Sequence, residues 1–227
     1  LVHTLALEPE HAAQYVPMDA DLIGVKADGT AAANPLMTAA WKRAVADVEA
    51  EGCIPVDLAD WDRARFMVDA IRAHPEAGPL IFGAGGTNEE SAFWIDPLGR
   101  QHKARFDRRI PGAIVDIKTT SALPGAHSLG KTVISHGYEL AAAHYLEVAG
   151  GLGLEADTFL HVWVEKVAPY RVTVTELDSY FLMRGLQLRD LALDRATGAA
   201  EPYEGATGRL LLACPGWASP DDEEIVI

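Results

Sequence analysis

Three stretches in the middle of the chain carry the residue pattern of β-strands. They span Glu90 to Asp96, Arg100 to Ile110 and Ala113 to Thr120. Pro97-Leu98-Gly99 and Pro111-Gly112 separate them, and both are turn-forming sequences. The pattern therefore predicts an antiparallel meander of three strands, in which neighbouring strands are joined by tight turns.

Most of the remaining chain is predicted to be helical. Asn34-Pro35 is a typical N-cap and first helical position, and Gly52 is a natural stop. A second helix shows one apolar face, and His74-Pro75 ends it. The predicted helices cover residues 34–51, 60–73, 131–149 and 177–196.

Shorter apolar segments complete the expected sheet. Pro79-Leu80-Ile81-Phe82 is predicted to begin the β part, and Val56-Asp57-Leu58 to be a short connection. Phe159–Lys166 and Tyr170–Thr175 are predicted to form a hairpin about Ala168-Pro169. Helices, a meander, a helix, a hairpin and a helix together predict an α/β fold, with a central mixed sheet flanked by helices.

The composition is that of one globular domain. The 227 residues are 49% hydrophobic and 23% charged, and no apolar run reaches the roughly 20 residues of a membrane helix. We expect residues 1–227 to form a single domain, in the cytoplasm and without a membrane partner. The chain begins at Leu1 without an initiator Met or the basic start of a secretory signal, so we expect it to be part of a longer chain. Cys53 and Cys214 are too few for a four-cysteine zinc or iron–sulfur site.

Charge is distributed unevenly. The net charge is −14, which argues against a general polyanion binder. Residues 97–131, however, contain seven basic and two acidic residues, which leaves 12 basic and 31 acidic residues elsewhere. A local cationic face on an acidic protein is compatible with a DNA site, although a solvated hairpin would look the same.

The candidate chemistry lies within this cationic segment. Asp116-Ile117-Lys118 follows the apolar run Ala113-Ile114-Val115, and Asp107 lies nine residues upstream on the preceding strand. Two adjacent strands can thus bring two carboxylates and one ammonium group together. Phosphodiester hydrolysis uses such a set, because carboxylates hold Mg²⁺ and a cation steadies the attacking water or the developing charge.

The surrounding motifs resemble the nuclease domain of RecE-type exonucleases, the exonuclease VIII group. That group belongs to the RecB-like branch of the PD-(D/E)xK superfamily. The resemblance extends from His3 to about Ala149. It rests on the segment from His3 to Pro9, on Glu90–Trp94, Lys103–Asp107 and Val115–Thr120, and on Tyr138 and Tyr145 of the predicted long helix.

The resemblance implies a role for each site residue. His3, Asp107 and Asp116 would ligate Mg²⁺ or Mn²⁺, together with the carbonyl oxygen of Ile117. Lys118 would orient the attacking water or help to deprotonate it. Glu90 would approach the metal site from the preceding strand, and Tyr145 belongs to the family's Q-x-x-x-Y motif.

The chain departs from the family pattern at one position. The Gln of the Q-x-x-x-Y motif, which helps to order the catalytic Lys and the DNA end, is replaced by Ala141. The replacement bears on activity rather than on the fold. It keeps open a second hypothesis, a non-catalytic DNA-binding relative. Core packing would also explain the helical spacing of Tyr138, Ala141 and Tyr145.

Two other motifs indicate different functions. Gly125–Thr132 matches the phosphate-binding G-x-x-x-x-G-K-[ST] pattern, which requires a strand leading into Gly125 and a helix beginning near Lys131. Ala126–Gly130 is similar to a hydrolase elbow with Ser128 as nucleophile, but no His is marked as its base. Both hypotheses rank below the nuclease.

The sequence thus favours a metal-dependent exodeoxyribonuclease. The resemblance implies 5′→3′ hydrolysis of linear double-stranded DNA from its ends. It also implies a ring-like or tetrameric homo-oligomer, a single-strand annealing protein as partner, and a role in phage-type recombination.

Overall fold

The computed structural model describes residues 1–121 and 126–196, and its main feature is a five-stranded mixed sheet. The strands are β3 (Thr87–Ile95), β4 (Gln101–Ile110), β5 (Gly112–Thr120), β6 (Ala156–Glu165) and β7 (Val172–Glu176), which lie side by side in that order. Two strands of a smaller parallel sheet, β1 (Tyr15–Met18) and β2 (Ile54–Asp57), pair elsewhere in the chain. The predicted α/β class is therefore confirmed.

The central pair of the large sheet is parallel. β5 and β6 run in the same direction along their whole length, whereas every other neighbouring pair is antiparallel. A parallel pair needs a crossover connection, and here two helices supply it. They are α6 (Ala126–His136) and α7 (Tyr138–Gly151).

Strand β5 is buried on both faces because helices cover each side of the sheet. Ile114 belongs to a cluster on the side of α6 and α7, where it packs with Phe106 and Phe159. Val115 and Ile117 point to the opposite side, as the period of two in a strand requires. There they meet apolar residues of α1 (Val2–Leu7), α4 (Leu58–Ala73) and α5 (Ala77–Phe82).

The other α-helices in residues 1–121 and 126–196 are α2 (Ala20–Ile23), α3 (Ala39–Ala50) and α8 (Ser179–Ala196), and Pro9–Gln14 forms a 3₁₀ helix. Gly185 of α8 is buried close to the carbonyl oxygen of Glu139 on α7. Arg184 forms an ion pair with the Glu139 carboxylate beside it. Leu1–Arg189 forms one compact unit and Asp190–Ile227 a second, of which only residues 190–196 are described.

Most predicted strands agree with the structure, but Pro79–Phe82 does not. The structure places these residues in α5, where Ile81 is fully buried against α1 and α4. A short apolar run has the same appearance in a buried strand and a buried helix, so the sequence pattern could not separate the two. Residues 56–58, predicted as a connection, divide between β2 and the start of α4.

Two predicted helices have different boundaries. Pro35–Met37 is a separate 3₁₀ turn, and the following helix begins at Ala39 because the Thr38 hydroxyl accepts the N–H of Trp41. The predicted helix over residues 131–149 is two helices. Gly137, with φ of +68°, divides them by adopting a backbone conformation that favours glycine.

The prediction of one domain over residues 1–227 stays a prediction. The acidic segment Asp221–Glu224 lies outside the described residues. Among residues 1–121 and 126–196, no helix is both long and apolar enough to cross a bilayer.

The close approach of α8 to α7 predicts a large effect of adding one methyl group. In Gly185→Ala the new Cβ would lie 2.0 Å from the Glu139 carbonyl oxygen, so the two helices must move apart. We expect the free energy of unfolding to fall by about 1–3 kcal/mol. Urea unfolding followed by circular dichroism measures this change.

Gly150→Ala is the matched control. Gly150 lies on an exposed part of α7 with nothing within 4 Å of the new Cβ, so the substitution should stabilise the protein by roughly 0.5 kcal/mol. Equal stability of Gly185→Ala and wild type would show that the α7–α8 contact tolerates the extra volume.

Candidate metal and catalytic site

The site lies where strands β4 and β5 stop pairing. The last paired residues are Arg108 and Val115, so Asp107 and Asp116 come directly after them, one on each strand. The ladder between β3 and β4 also omits Asp107, opposite Glu89, whose φ of +48° is unusual for a residue with a side chain. These interruptions free backbone positions around Asp107 from the sheet.

Asp107 connects β4 with β5 and with α1 through hydrogen bonds. Its Oδ2 accepts hydrogen bonds from the backbone N–H of Ile117 on β5 and from Nε2 of His3 on α1, both at 2.9 Å. His3 is 104 residues away in sequence. The N-terminal imidazole therefore lies against Asp107, and its role as a metal ligand stays a prediction.

Asp116 and Lys118 form the other half of the site. Both side chains follow the same face of β5, and Lys118 Nζ lies 2.5 Å from Asp116 Oδ2. The ammonium group also lies 4.7 Å from the centre of the Tyr138 ring, at the start of α7. A cation over an aromatic face is attracted to it, so Tyr138 and Asp116 together fix the position of Lys118.

The pKa values of the two carboxylates shift in opposite directions. Burial, and after it the negative charge of Asp107, raise the pKa of Asp116 to about 6. Burial also acts to raise the pKa of Asp107, but the hydrogen bond and charge of His3 outweigh it, and the net pKa is lowered. Two close carboxylates resist simultaneous ionisation, so Asp107, which His3 stabilises in its charged form, ionises first.

The pKa values of the two basic groups, His3 and Lys118, are both raised. The hydrogen bond to Asp107 raises the pKa of His3 above its usual value. Burial lowers the pKa of Lys118, but the charge of Asp116 outweighs it and the net pKa is raised. Lys118 is therefore held as an ammonium group at neutral pH.

The donor set suits a hard divalent cation. Two carboxylates, a backbone carbonyl and one imidazole are ligands that Mg²⁺ and Mn²⁺ accept. Oδ2 of Asp116 is buried without a hydrogen bond among the described residues, although Lys118 lies beside it as a charge partner. In residues 1–121 and 126–196, no three His, Cys, Asp or Glu side chains form a ready-made cage. The Ile117 carbonyl would complete the set, and His3 would exchange its bond to Asp107 for the cation.

Glu90 lies on β3, where it pairs with Phe106 of β4. Its carboxylate accepts two hydrogen bonds from the Arg109 guanidinium, at 2.7 and 3.0 Å. A role for Glu90 at the metal site stays a prediction. The adjacent Glu89 instead accepts a hydrogen bond from Arg105, at 2.6 Å, opposite Asp107 on the interrupted ladder.

Tyr145 lies at the margin of the site. Its ring packs edge-on against Phe106, with centres 5.5 Å apart. Burial, and then the charges of Asp116 and Asp107, raise the pKa of its hydroxyl. Ala141, one turn earlier on α7, presents only a methyl group where the family has an amide.

Two contributors were not assigned a site role from sequence. Tyr138 was grouped with the core by its helical spacing, which cannot show that its ring covers Lys118. His161 is fully buried on β6, directly paired with Asp116. Burial, and then the charge of Lys118, lower its pKa to about 3, so the imidazole beside Asp116 is uncharged at neutral pH.

The structure rules out the two competing motifs. α6 begins at Ala126 and continues past Thr132, so residues 126–132 are helical rather than a loop around a phosphate. Ser128 lies inside the same helix and not at a strand-to-helix turn. Both the phosphate-binding loop and the hydrolase elbow are therefore wrong.

The raised pKa of Asp116 predicts a pH-dependent effect on stability. The folded protein holds this proton more tightly than the unfolded chain, so ionisation opposes folding above pH 6 and has no effect below pH 4. Without added metal, we therefore expect the free energy of unfolding of wild type, relative to Asp116→Asn, to fall on the order of 2 kcal/mol between pH 4 and pH 8. Most of this change should occur between pH 4 and pH 7.

Urea unfolding in EDTA at pH 4, 6 and 8 measures this difference. Asp157→Asn, at an exposed position on β6, is the matched control and should show no such trend. A stability difference for Asp116→Asn that is the same at pH 4 and pH 8 would contradict the assignment of the buried charge.

Comparisons with known proteins agree with this geometry. A family described as a PDDEXK-like domain of unknown function (DUF3799) matches residues 1–200. A crystal structure designated "Putative exonuclease" from Eubacterium rectale superimposes with a TM-score of 0.53 at 18% sequence identity, over 78% of this chain and 72% of the other. At that identity the likeness establishes a shared fold. Comparison with curated proteins found no match.

PD-(D/E)xK nucleases generally use divalent metal ions, which fits the donor set at Asp107 and Asp116. The family match spans both the His3 segment and the Asp116-Ile117-Lys118 motif. The chain therefore belongs to the PDDEXK-like domain family DUF3799, within the PD-(D/E)xK nuclease superfamily.

Proposed function

We propose that this protein is a metal-dependent exodeoxyribonuclease. The observation that carries the proposal is the convergence of His3, Asp107, Asp116 and Lys118 at the fork between β4 and β5. Structural ion pairs alone do not explain a buried Asp116 with a raised pKa next to a second carboxylate, because burying both charges costs stability. Such an arrangement is characteristic of functional sites.

The chemistry is the hydrolysis of a phosphodiester. A divalent ion, when bound, supplies positive charge for the phosphorane-like transition state and lowers the pKa of water. Lys118 holds its ammonium group beside Asp116, where it donates a hydrogen bond to the attacking water and orients it. The water oxygen forms the new bond to phosphorus as the bond to the leaving oxygen breaks. The water proton passes to solvent, and the leaving oxygen takes up a proton from solvent to become a hydroxyl group.

The substrate and polarity of the proposal rest on the RecE-type resemblance. They are 5′→3′ removal of nucleotides from the ends of linear double-stranded DNA, with Mg²⁺ as the preferred ion. The same resemblance supports a ring or tetramer of identical subunits. It also supports a single-strand annealing protein as partner in phage-type recombination.

The cationic segment supports DNA as the substrate. Residues 97–131 carry five more basic than acidic residues, and Asp107, Asp116 and Lys118 all lie within it. Arg100, Arg105 and Arg109 of this segment pair with acidic residues outside it, so the charge left for a ligand is smaller than the count and lies with residues such as Lys103. Local positive charge attracts a polyanion to this region without causing non-specific binding over the whole surface.

A non-catalytic DNA-binding relative is the second candidate. Ala141 favours it, because the amide that helps to order the Lys in the family is missing. The contact between Lys118 and the Tyr138 ring argues for the enzyme, because it supplies another restraint on the ammonium group.

The direct test is release of nucleotides from linear duplex DNA. We expect wild type to release them only with Mg²⁺ or Mn²⁺, from the 5′ ends, and to leave covalently closed circles intact. Asp116→Asn and Lys118→Met should lose at least about 100-fold in rate, because each removes transition-state stabilisation. End-labelled duplexes resolved on denaturing gels measure rate and polarity together.

Lys166→Met is the matched control, since it removes an exposed lysine outside the site and should keep the wild-type rate. A wild-type protein that binds duplex DNA without metal-dependent cleavage would establish the non-catalytic alternative. Release from 3′ ends would overturn the RecE-type polarity but not the nuclease.

The ring of Tyr138 gives a further prediction for the same reaction. Tyr138→Leu removes the aromatic face beneath Lys118 and should lower kcat about 10-fold at unchanged KM, because a desolvated cation–π contact is worth about 1–2 kcal/mol. Tyr138→Phe keeps the face and should retain most activity. Steady-state kinetics on a short duplex separates the two parameters, and equal kcat in both variants would show that the ring does not position Lys118.

A further inference from the structure

The β3–β4 hairpin exposes a second feature on the side of the sheet that faces away from α7. Residues 102, 104 and 106 of β4 are buried towards α7, so residues 101, 103 and 105 point outwards. Their partners on β3 are Ile95, Phe93 and Ser91. This outer hairpin face consists of Ser91, Phe93, Ile95, Gln101, Lys103 and Arg105.

The outer hairpin face combines an exposed aromatic ring with a cation. Phe93 is 66% exposed and Ile95 is 64% exposed, although a large apolar side chain is stabilised by burial. Lys103 is the cross-strand partner of Phe93, and its Nζ lies 5.8 Å from the centre of the ring. The ring and the ammonium group therefore form one surface.

Lys103 differs from the other exposed cations of the hairpin in its charge environment. Arg100 is paired with Asp96, Arg105 with Glu89, and Arg109 with Glu90. Within the described residues, Lys103 has no acidic partner. The pairing of the other three leaves Lys103 as a positive charge beside the exposed ring.

The outer hairpin face leads towards the candidate site. Asp107 follows Lys103 and Arg105 on the same strand, about 13 Å from Lys103 at the usual rise per residue. Helix α1 covers the Asp107 end, where His3 binds Asp107 and Glu8 lies 3.7 Å from Arg105. Beyond Arg105 the face is open, so a strand placed on it would run from the carboxylates outwards along β4.

We propose that the outer hairpin face binds a single-stranded segment of DNA, with a base stacked on Phe93 and a phosphate held by Lys103. This inference rests on the proposed nuclease function, which makes DNA the ligand that passes this surface. Base–aromatic stacking with adjacent cations is how sequence-tolerant single-strand sites are built. None of the six residues of the outer hairpin face is acidic, so its charge complements the phosphate backbone of a nucleic acid.

Single-strand binding can be measured apart from cleavage. Fluorescence anisotropy with a fluorescein-labelled 12-nucleotide oligo(dT) in EDTA reports binding while any metal-dependent hydrolysis is prevented. We expect Phe93→Ala to weaken binding about 10-fold, and Phe93→Trp to retain it, because stacking needs a flat ring. Lys103→Ala should weaken binding and reduce the salt dependence by about 0.7 in the slope of log K against log salt, the value of one phosphate contact.

Leu98→Ala and Lys166→Met are the matched controls, because they remove an exposed apolar side chain at the hairpin turn and an exposed lysine outside the hairpin. Both should bind like wild type. Unchanged binding of Phe93→Ala and Lys103→Ala would overturn the inference. So would a Phe93→Ala variant whose main change is dissociation of an oligomer in size-exclusion chromatography, since that outcome assigns the face to a second copy.

The two proposals fail separately. Cleavage of duplex DNA by wild type together with unchanged oligo(dT) binding by the variants would reject the single-strand face and leave the nuclease intact. Aromatic- and lysine-dependent binding by a wild-type protein that cleaves nothing would reject the nuclease and support the face.

Discussion

Two carboxylates lie on adjacent strands at the point where the strands separate, and the surrounding structure compensates their charge. Asp116 is buried, its Oδ2 has no hydrogen bond within the described part of the chain, and Asp107 is close enough to raise its pKa. Such a pair would destabilise the fold if cations were absent. His3 on one side and Lys118 on the other supply the positive charge. The position of α1 and the start of α7 are therefore linked to the electrostatics of one strand fork.

His3 and Lys118 do not fully offset the negative charge of the two carboxylates, and the remaining charge favours a bound metal ion. His3 and the Ile117 N–H favour the ionised form of Asp107, whereas Asp116 keeps a pKa of about 6 with Lys118 beside it. A further positive charge at this place is thus energetically favourable, and hard oxygen donors determine which ions suit it. The neutral His161 and the apolar residues beneath the strands keep this local dielectric low, which strengthens each interaction.

The region around the site divides its charges between structural and functional uses. Arg100, Arg105 and Arg109 each hold an acidic partner and thereby fix the β3–β4 hairpin. Arg108 is buried and donates to the carbonyls of Leu80 and Gly83, which anchors α5 to the sheet. Lys118 and Lys103 differ from these, because one faces the carboxylates and the other faces solvent beside an aromatic ring. On such a surface, the number of basic residues overstates the charge available to a ligand.

The residue pattern predicts the β4–β5 hairpin and, with it, the approach of Asp107 to Asp116. Both are local, since a two-residue turn at Pro111-Gly112 fixes the pairing of the residues that follow it. The sequence did not determine the backbone at Glu89, whose φ of +48° accompanies the break in the β3–β4 ladder opposite Asp107. Nor could it distinguish a strand from a helix at Pro79–Phe82, where burial alone decides. The arrival of His3 from 104 residues away and the placing of the Tyr138 ring over Lys118 belong to the tertiary structure. Each depends on how helices pack across the two faces of the sheet, and no pattern within a short segment carries that information.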